Sequence, residues 1–374
     1  MKSLKQFNWR FTFIIDVAAI VFLASGGMNL LFAVVLTEAA LWMFRLLWIS
    51  PAMLSYILRR LAQMVPIVLA VLALGFALIQ LAPGDMFSQM ELDPAISRDQ
   101  LEMFRRQFRL DQPWYAQFFQ YIWNALRGDF GFSRTFRVPV FAVVGQRATN
   151  TILLSLTSLV FAWVLSIPMG VFAATNQYNW KDQFISVFAF FGLAIPNFFL
   201  AFLLLYLISS TGNWLPLGGM TSVGFRNMTP VQQFFDVLRH MIVPVVVIGT
   251  SVMATLTRVM RGEMLKIMNE QYVTTARAKG QTENKVVYMH ALRNAINPMI
   301  TLLGFQLGNV MSGAALVEIV VAWPGLGSVL LEAVLSQDLY LVVGSLIYGV
   351  VLLVIGNLLA DIALALVDPR VRIS

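Results

Sequence analysis

His240 and His290 are the only imidazoles in this chain of 374 residues, and cysteine is absent. Thiolate nucleophiles, thiolate metal sites and disulfides are therefore excluded. Neither His lies in an H-E-x-x-H or comparable metal spacing. His290 reads as a solvated or contact-lining side chain, and His240 as a polar group at the mouth of an apolar run. No G-x-S-x-G occurs, and no Ser has a His and an acid at an interpretable spacing. Asp85 and Asp129 each follow a Gly, a pattern of turn and capping carboxylates. No G-x-x-x-x-G-K-[ST] loop is present, so ATP chemistry would have to sit on another subunit. Glu318 and Asp361 remain as acids within apolar runs. Such acids need partners in a membrane. Asp361 could hydrogen-bond between helices. Glu318 stands either near a translocation path or as a helix-end acid paired with a polar neighbour.

The elements that must position these groups are membrane helices. The chain is 59% hydrophobic and only 12% charged, whereas soluble domains are nearer a quarter charged. Runs long enough to cross roughly 30 Å of hydrocarbon lie at Leu61–Leu81, Asn150–Ala174, Phe184–Ile208, His240–Leu256, Ile300–Ala322 and Leu341–Leu366. Backbone groups in lipid must be paired internally, so the runs are read as helices. The fold class is an all-α integral membrane protein with a six-helix core. The net charge of +7 is divided among short loops, where it sets orientation rather than binding nucleic acid. Pro83–Thr149 carries eight Arg and seven acids and is read as an external segment. Ser209–Arg239, rich in Gly and Pro, is read as an outer loop. Both ends of the core are placed in the cytoplasm.

Residues 1–52 form a hydrophobic extension before the core at 53–374. Asp16, Ser25-Gly26-Gly27, Glu38 and Arg45 interrupt it. A helical hairpin turning near Ser25–Asn29, or one span, are both open. A cleavable signal peptide is disfavoured by the length of the apolar region.

Between two apolar runs lies a polar loop, 258–298. From Arg258 to Arg293 it holds seven Lys or Arg and three Glu, a composition retained in the cytoplasm. Tyr272–Lys279 and Asn284–Asn294 are each predicted to be helical, with Gly280 as the stop between them. A helix–Gly–helix beside a membrane offers a docking element for a soluble partner.

The residues at Gln271–Pro298 resemble a known signature. The permease subunits of ATP-binding-cassette importers carry an E-A-A-x-x-x-G loop. Here Thr274, Thr275, Ala276 and Gly280 stand at the matching positions, and HALRNA follows ten residues after the Gly. The Thr pair and the run TARAKG match the dipeptide/oligopeptide branch. LAPGD at Leu81–Asp85, LDQPWYAQF at Leu110–Phe118, RGDFGFS at Arg127–Ser133 and AIPNFF at Ala194–Phe199 resemble the same branch. So do LPLGG at Leu215–Gly219, VEIVVAWPGLG at Val317–Gly327 and LVDPRVR at Leu366–Arg372, so the likeness covers about Met53–Ser374. It implies half of a translocation pore that works with a second permease, two ATPases and an extracytoplasmic solute-binding protein. ATP and Mg would be bound by those ATPases, with no cofactor on this chain. The membrane would be the bacterial inner membrane, and the chain itself would not be an enzyme.

On this reading the loop docks on an ATPase through Tyr272, Thr274, Thr275, Ala276, Ala278, Gly280, His290 and Leu292. Ala276 is small enough for close approach, and Gly280 permits positive φ. Pro196 and Asn197, a kink followed by two Phe, join Glu318 as translocation-path residues. The alternatives are an ion-coupled carrier or channel, which would need intramembrane coupling charges, and a membrane-anchored scaffold that recruits a soluble enzyme. The solute is not legible. In systems this chain resembles it is chosen largely by the binding protein and includes peptides, nickel complexes and oligosaccharides.

Overall fold

The computed structural model describes residues 51–81, 97–107, 112–300, 302, 306 and 315–367. The two readings of the N-terminal extension, most of Ile300–Ala322 with its three glycines, and the side chain of Asp361 lie outside the described residues. Helix α1 spans Pro51–Leu81. Helices α2 (Arg98–Gln107) and α3 (Trp114–Leu126) follow. A short hairpin pairs β1 (Phe132–Ser133) with β2 (Val138–Pro139), Phe132 opposite Pro139. Among the described residues the remaining regular structure is helical: α4 (Val140–Thr175), α5 (Trp180–Ala194), α6 (Asn197–Ser210) and α7 (Pro230–Met268) come next. The polar loop contains α8 (Gln271–Ala278), α9 (Glu283–Lys285), a π-helical turn at Val286–Ala291 and α10 (Leu292–Ala295). Helices α11 (Ala315–Val320), α12 (Leu326–Leu335) and α13 (Leu339–Val367) close the described chain.

Helices α4 and α7 pack along each other as the central pair. They have 36 and 39 residues, so at 1.5 Å per residue each is about 55 Å long and overshoots the hydrocarbon. Pro168 and Pro244 lie inside them, tolerated because neighbouring helices re-satisfy the backbone. Gly170 lets them meet: a Cβ there would lie 2.6 Å from Met260 Cβ. One buried cluster joins Leu154, Val243, Val247, Val317 and Trp323. A second, rich in Met, joins Met253, Met260, Met264 and Met299 to Ala162 and Val171. By length and composition α4, α7 and Leu339–Leu358 of α13 qualify as spans among the described residues.

Three expectations need correction. Phe184–Ile208 is not one helix: α5 and α6 meet at 105°. Pro196 forces its predecessor out of the helical region, and Ile195 is extended at φ −84°, ψ 122°. At 15 and 14 residues, neither piece alone reaches the usual ~17-residue minimum. Second, the outer loop 209–239 ends early, because α7 begins at Pro230. Thr229 accepts from the Gln232 amide while Gln232 accepts from the Thr229 amide, a capping box with Pro at the first helical position. Third, the predicted helix Asn284–Asn294 is interrupted by the π-helical turn, and α12 was not anticipated.

Candidate functional site

The polar loop folds on itself. Val273 and Ala276 of α8 close on Val286, with Ile267 packed alongside. Gly280 adopts φ +73°, and its amide donates to the Arg277 carbonyl at 2.9 Å. A Cβ on Gly280 would meet no atom within 4 Å, so φ alone requires glycine there. Across the turn Arg277 grips Glu283 in a bidentate pair, 2.7 and 3.2 Å. The guanidinium holds the Glu283 carboxyl below its ordinary value. His290 Nε2 pairs with Gln281 Oε1 at 2.7 Å, and Asn294 donates to the Tyr272 hydroxyl at 2.8 Å. The loop is thus a built unit rather than a solvated connection.

That unit is seated on the spans. Val287, Ala291 and Ala295 are buried in the Met-rich cluster against α7 and α4, with Leu292 partly buried beside them. Nearby, Arg261 of α7 donates to both oxygens of Asp182 at 2.6 and 2.7 Å. Asp182 is buried and also accepts from the Tyr178 amide. This bidentate pair fixes the start of α5 to the stem of the loop.

The structure divides the expected docking residues. Tyr272, Thr274, Thr275, Ala278 and Gly280 are exposed. Ala276 is not: at 8% exposure it faces the loop's own core. Its small size therefore lets α8 approach Val286 rather than a partner, which corrects the expected role. His290 is partly buried in its bond to Gln281. The sequence reading did not single out Tyr288 or Met289, each 61% exposed. Large apolar side chains turned outward from an otherwise polar loop are the available signal.

Pro196 is exposed and Asn197 half-buried at the α5–α6 corner. Glu318 is fully buried, and its hydrogen-bond partners lie on α4 and at the start of α12 rather than at that corner. Thr151 Oγ1 donates to its Oε1 at 2.6 Å, and the Gly327 amide donates to its Oε2 at 2.8 Å. Thr151 in turn accepts from the Leu326 amide at 2.7 Å. Asn150 Nδ2 donates to the Pro324 carbonyl, and Trp323 Nε1 to the Asn150 carbonyl. A Cβ on Gly325 would collide with the Glu318 carboxyl. The run WPGLG is therefore tied as a knot around Glu318 and the start of the α4 span. His240 is buried, its Nδ1 2.8 Å from the Asp236 carbonyl. Among the described residues no three His, Asp or Glu side chains converge as a metal site requires.

Comparison with known proteins places this architecture. Residues 166–373 match the family described as binding-protein-dependent transport system inner membrane component, and residues 53–157 match its N-terminal counterpart. The oligopeptide transport system permease protein AppB of Bacillus subtilis is 38% identical over 321 residues, covering 86% of this chain and all of that protein. The dipeptide transport system permease protein DppB of Escherichia coli K12 is 34% identical over 336 residues, covering 86% of this chain and 99% of that protein. The glutathione transport system permease protein GsiC of the same strain is 33% identical over 320 residues, with 86% and 99% covered. The chain belongs to this family and is an all-α, multi-pass inner-membrane permease subunit of an ATP-binding-cassette importer, working with ATPase and binding-protein partners. The ion-coupled carrier alternative is not favoured.

Proposed function

We propose that this permease forms half of a pathway for peptides or similar small solutes, beside a second homologous permease, above two ATPases and below an extracytoplasmic binding protein. ATP and Mg bind and react on the ATPases, not here. Residues 1–52 form an extension to the core 53–374, whose two ends lie in the cytoplasm. Residues 83–149 face outward, and the loop 258–298 faces the cytoplasm and enters a cleft of one ATPase. The observation that carries the reading is the loop itself, a folded unit whose one side is sealed onto the spans and whose other side exposes Tyr272, Ala278, Tyr288 and Met289. ATP favours the closed ATPases, and a rigid loop passes that bias to the pore. The corner at Pro196 and Asn197 lines the path, and Glu318 braces its wall through the knot.

The chain lacks Cys, so single Cys can be introduced into the assembled importer. Met289→Cys and Ala278→Cys should crosslink to an ATPase, with yields that change between ATP-bound and ATP-free states. Gln107→Cys should react with an impermeant reagent in intact cells, and Gln281→Cys should not. Labelling of Gln281→Cys alone, or crosslinks only to a subunit outside the membrane's inner face, would overturn the arrangement.

A further inference from the structure

Helix α3 has three distinct faces. Phe118 and Tyr121 turn inward, their ring centroids 5.5 and 5.7 Å from Phe76 of α1, and Tyr121 lies 6.0 Å from Tyr340 of α13. Gln117, Gln120 and Asn124 form a second, polar row at i, i+3 and i+7, each half-buried and lining a cavity shared with Phe76 and Tyr340. Tyr115, Phe119 and Trp123, at i, i+4 and i+8, form a third, opposite the polar row. All three are more than half exposed, Phe119 at 66%, and Trp114 adds a further exposed ring. A contiguous aromatic stripe of this kind marks an interaction surface.

Depth indicates what covers it. Phe76 lies five residues before the end of α1, and Tyr340 is the second residue of α13. At 1.5 Å per residue, α3 packs within about 8 Å of the ends of both membrane helices. That is the zone where hydrocarbon gives way to headgroups, and where Trp and Tyr concentrate because one part of the ring is apolar and the other polar. Arg127 closes the stripe, its guanidinium 4.7 Å from the centroid of the Trp123 ring. On a helix seated at that depth the cation would stand at the level of lipid phosphates. A polar row set opposite an aromatic row, with the remaining face on protein, is the distribution an interfacial helix needs.

We propose that α3 is seated in the bilayer surface, with Tyr115, Phe119 and Trp123 among phospholipid headgroups and upper acyl chains and the half-buried Gln117 and Asn124 turned away from them. The long segment after the first span thus returns to the membrane and grips it. This goes beyond the importer reading. It requires only that α1 and α13 cross the membrane, whichever end is cytoplasmic and whatever the solute.

The test uses nitroxide-labelled single Cys at Tyr115, Phe119, Trp123, Gln117 and Asn124, in the complete importer in nanodiscs of zwitterionic and anionic phospholipid. The expected result is a ratio of oxygen to aqueous nickel-chelate collisions several-fold higher at 115, 119 and 123 than at 117 and 124. Retained ATP-dependent uptake by cells producing each variant identifies the folded ones. As a label-free check, bromolipid should quench the unmodified importer more than the Trp114→Phe/Trp123→Phe variant. Labels at 119 and 123 shielded from both reagents would mean a protein covers the stripe. High nickel access with low oxygen access at 119 and 123 would mean the stripe faces water. Either result overturns the proposal.

Discussion

The loop after α7 and the knot around Glu318 are both compact polar arrangements, yet they are held in opposite ways. Across the loop's Gly280 turn the ion pair Arg277–Glu283 is open to solvent, with side chains 38% and 59% exposed. In the knot Glu318, Thr151 and Trp323 are buried, and the hydrogen bonds span 167 and 173 residues of sequence. Exposed bonds exchange readily with water and contribute little net stability. Buried ones leave costly orphans when broken. The knot is a fixed frame, and on the proposed function the loop is a handle that an ATPase would pull from outside.

The knot should show the largest effects. Glu318→Ala would leave the Thr151 hydroxyl and the Gly327 amide without acceptors, at about 1–3 kcal/mol each, plus a cavity. Gly325→Val would drive its side chain into the carboxyl. Both should lower the thermal midpoint and yield of the purified importer, and Glu318→Gln should fall between them and wild type because its amide opposes the Gly327 N–H. Wild-type stability in Glu318→Ala would break the contrast between frame and handle.

The loop should show an intermediate effect of a different kind. Gly280→Val places a β-branched residue at φ +73°, where left-handed backbone costs roughly 1–2 kcal/mol for residues with a Cβ. Uptake per ATP hydrolysed should fall while the assembled complex remains abundant. Gly280→Asn should retain most of the coupling, since Asn tolerates this region. Equal loss in both would implicate something other than backbone conformation. Ala276→Trp should unfold the loop's own core rather than block a partner.

The smallest effect belongs to the ion pair. Glu283 has a depressed carboxyl, so its stabilisation is complete above the ordinary glutamate value of about 4.3 and disappears as pH falls through its lower folded value. Between pH 6 and 8 the pair should contribute a constant amount. Because the pair is exposed, Glu283→Gln should cost well under about 1 kcal/mol, measured as a shift in the melting midpoint of the assembled importer. A midpoint difference between variant and wild type that changes over pH 6–8 would show a titration this geometry does not provide.

The two regions also differed in how far the sequence revealed them. Gly280 and the helix before it were legible because the signals are local: an eight-residue polar helix and a glycine stop. The side of Ala276 was not, because its partner Val286 comes from the helix beyond the turn. The knot was half visible. Glu318 stood out as an acid in an apolar run, but Thr151 is one hydroxyl among many in α4, with nothing local to pair the two. The α5–α6 break was hidden for another reason. A run apolar on every face has no period to lose, so Pro196 could be read as a kink within one span when it ends a helix. Helix α12 was missed because ten residues after Pro-Gly carry too little pattern to register.

The Met-rich seat beneath the loop has a mechanical consequence. Val287, Ala291 and Ala295 share their buried cluster with four methionines, Met253, Met260, Met264 and Met299, beside Leu256 and Val171. Thioether side chains have three rotatable bonds and can refill a contact after a small displacement without leaving staggered rotamers. A seat rich in such side chains would tolerate a small misalignment of the loop without opening a gap. A leucine-faced joint would jam or gap under the same misalignment. The same chemistry makes it vulnerable, because a single methionine sulfoxide would put a polar, chiral group into the bearing.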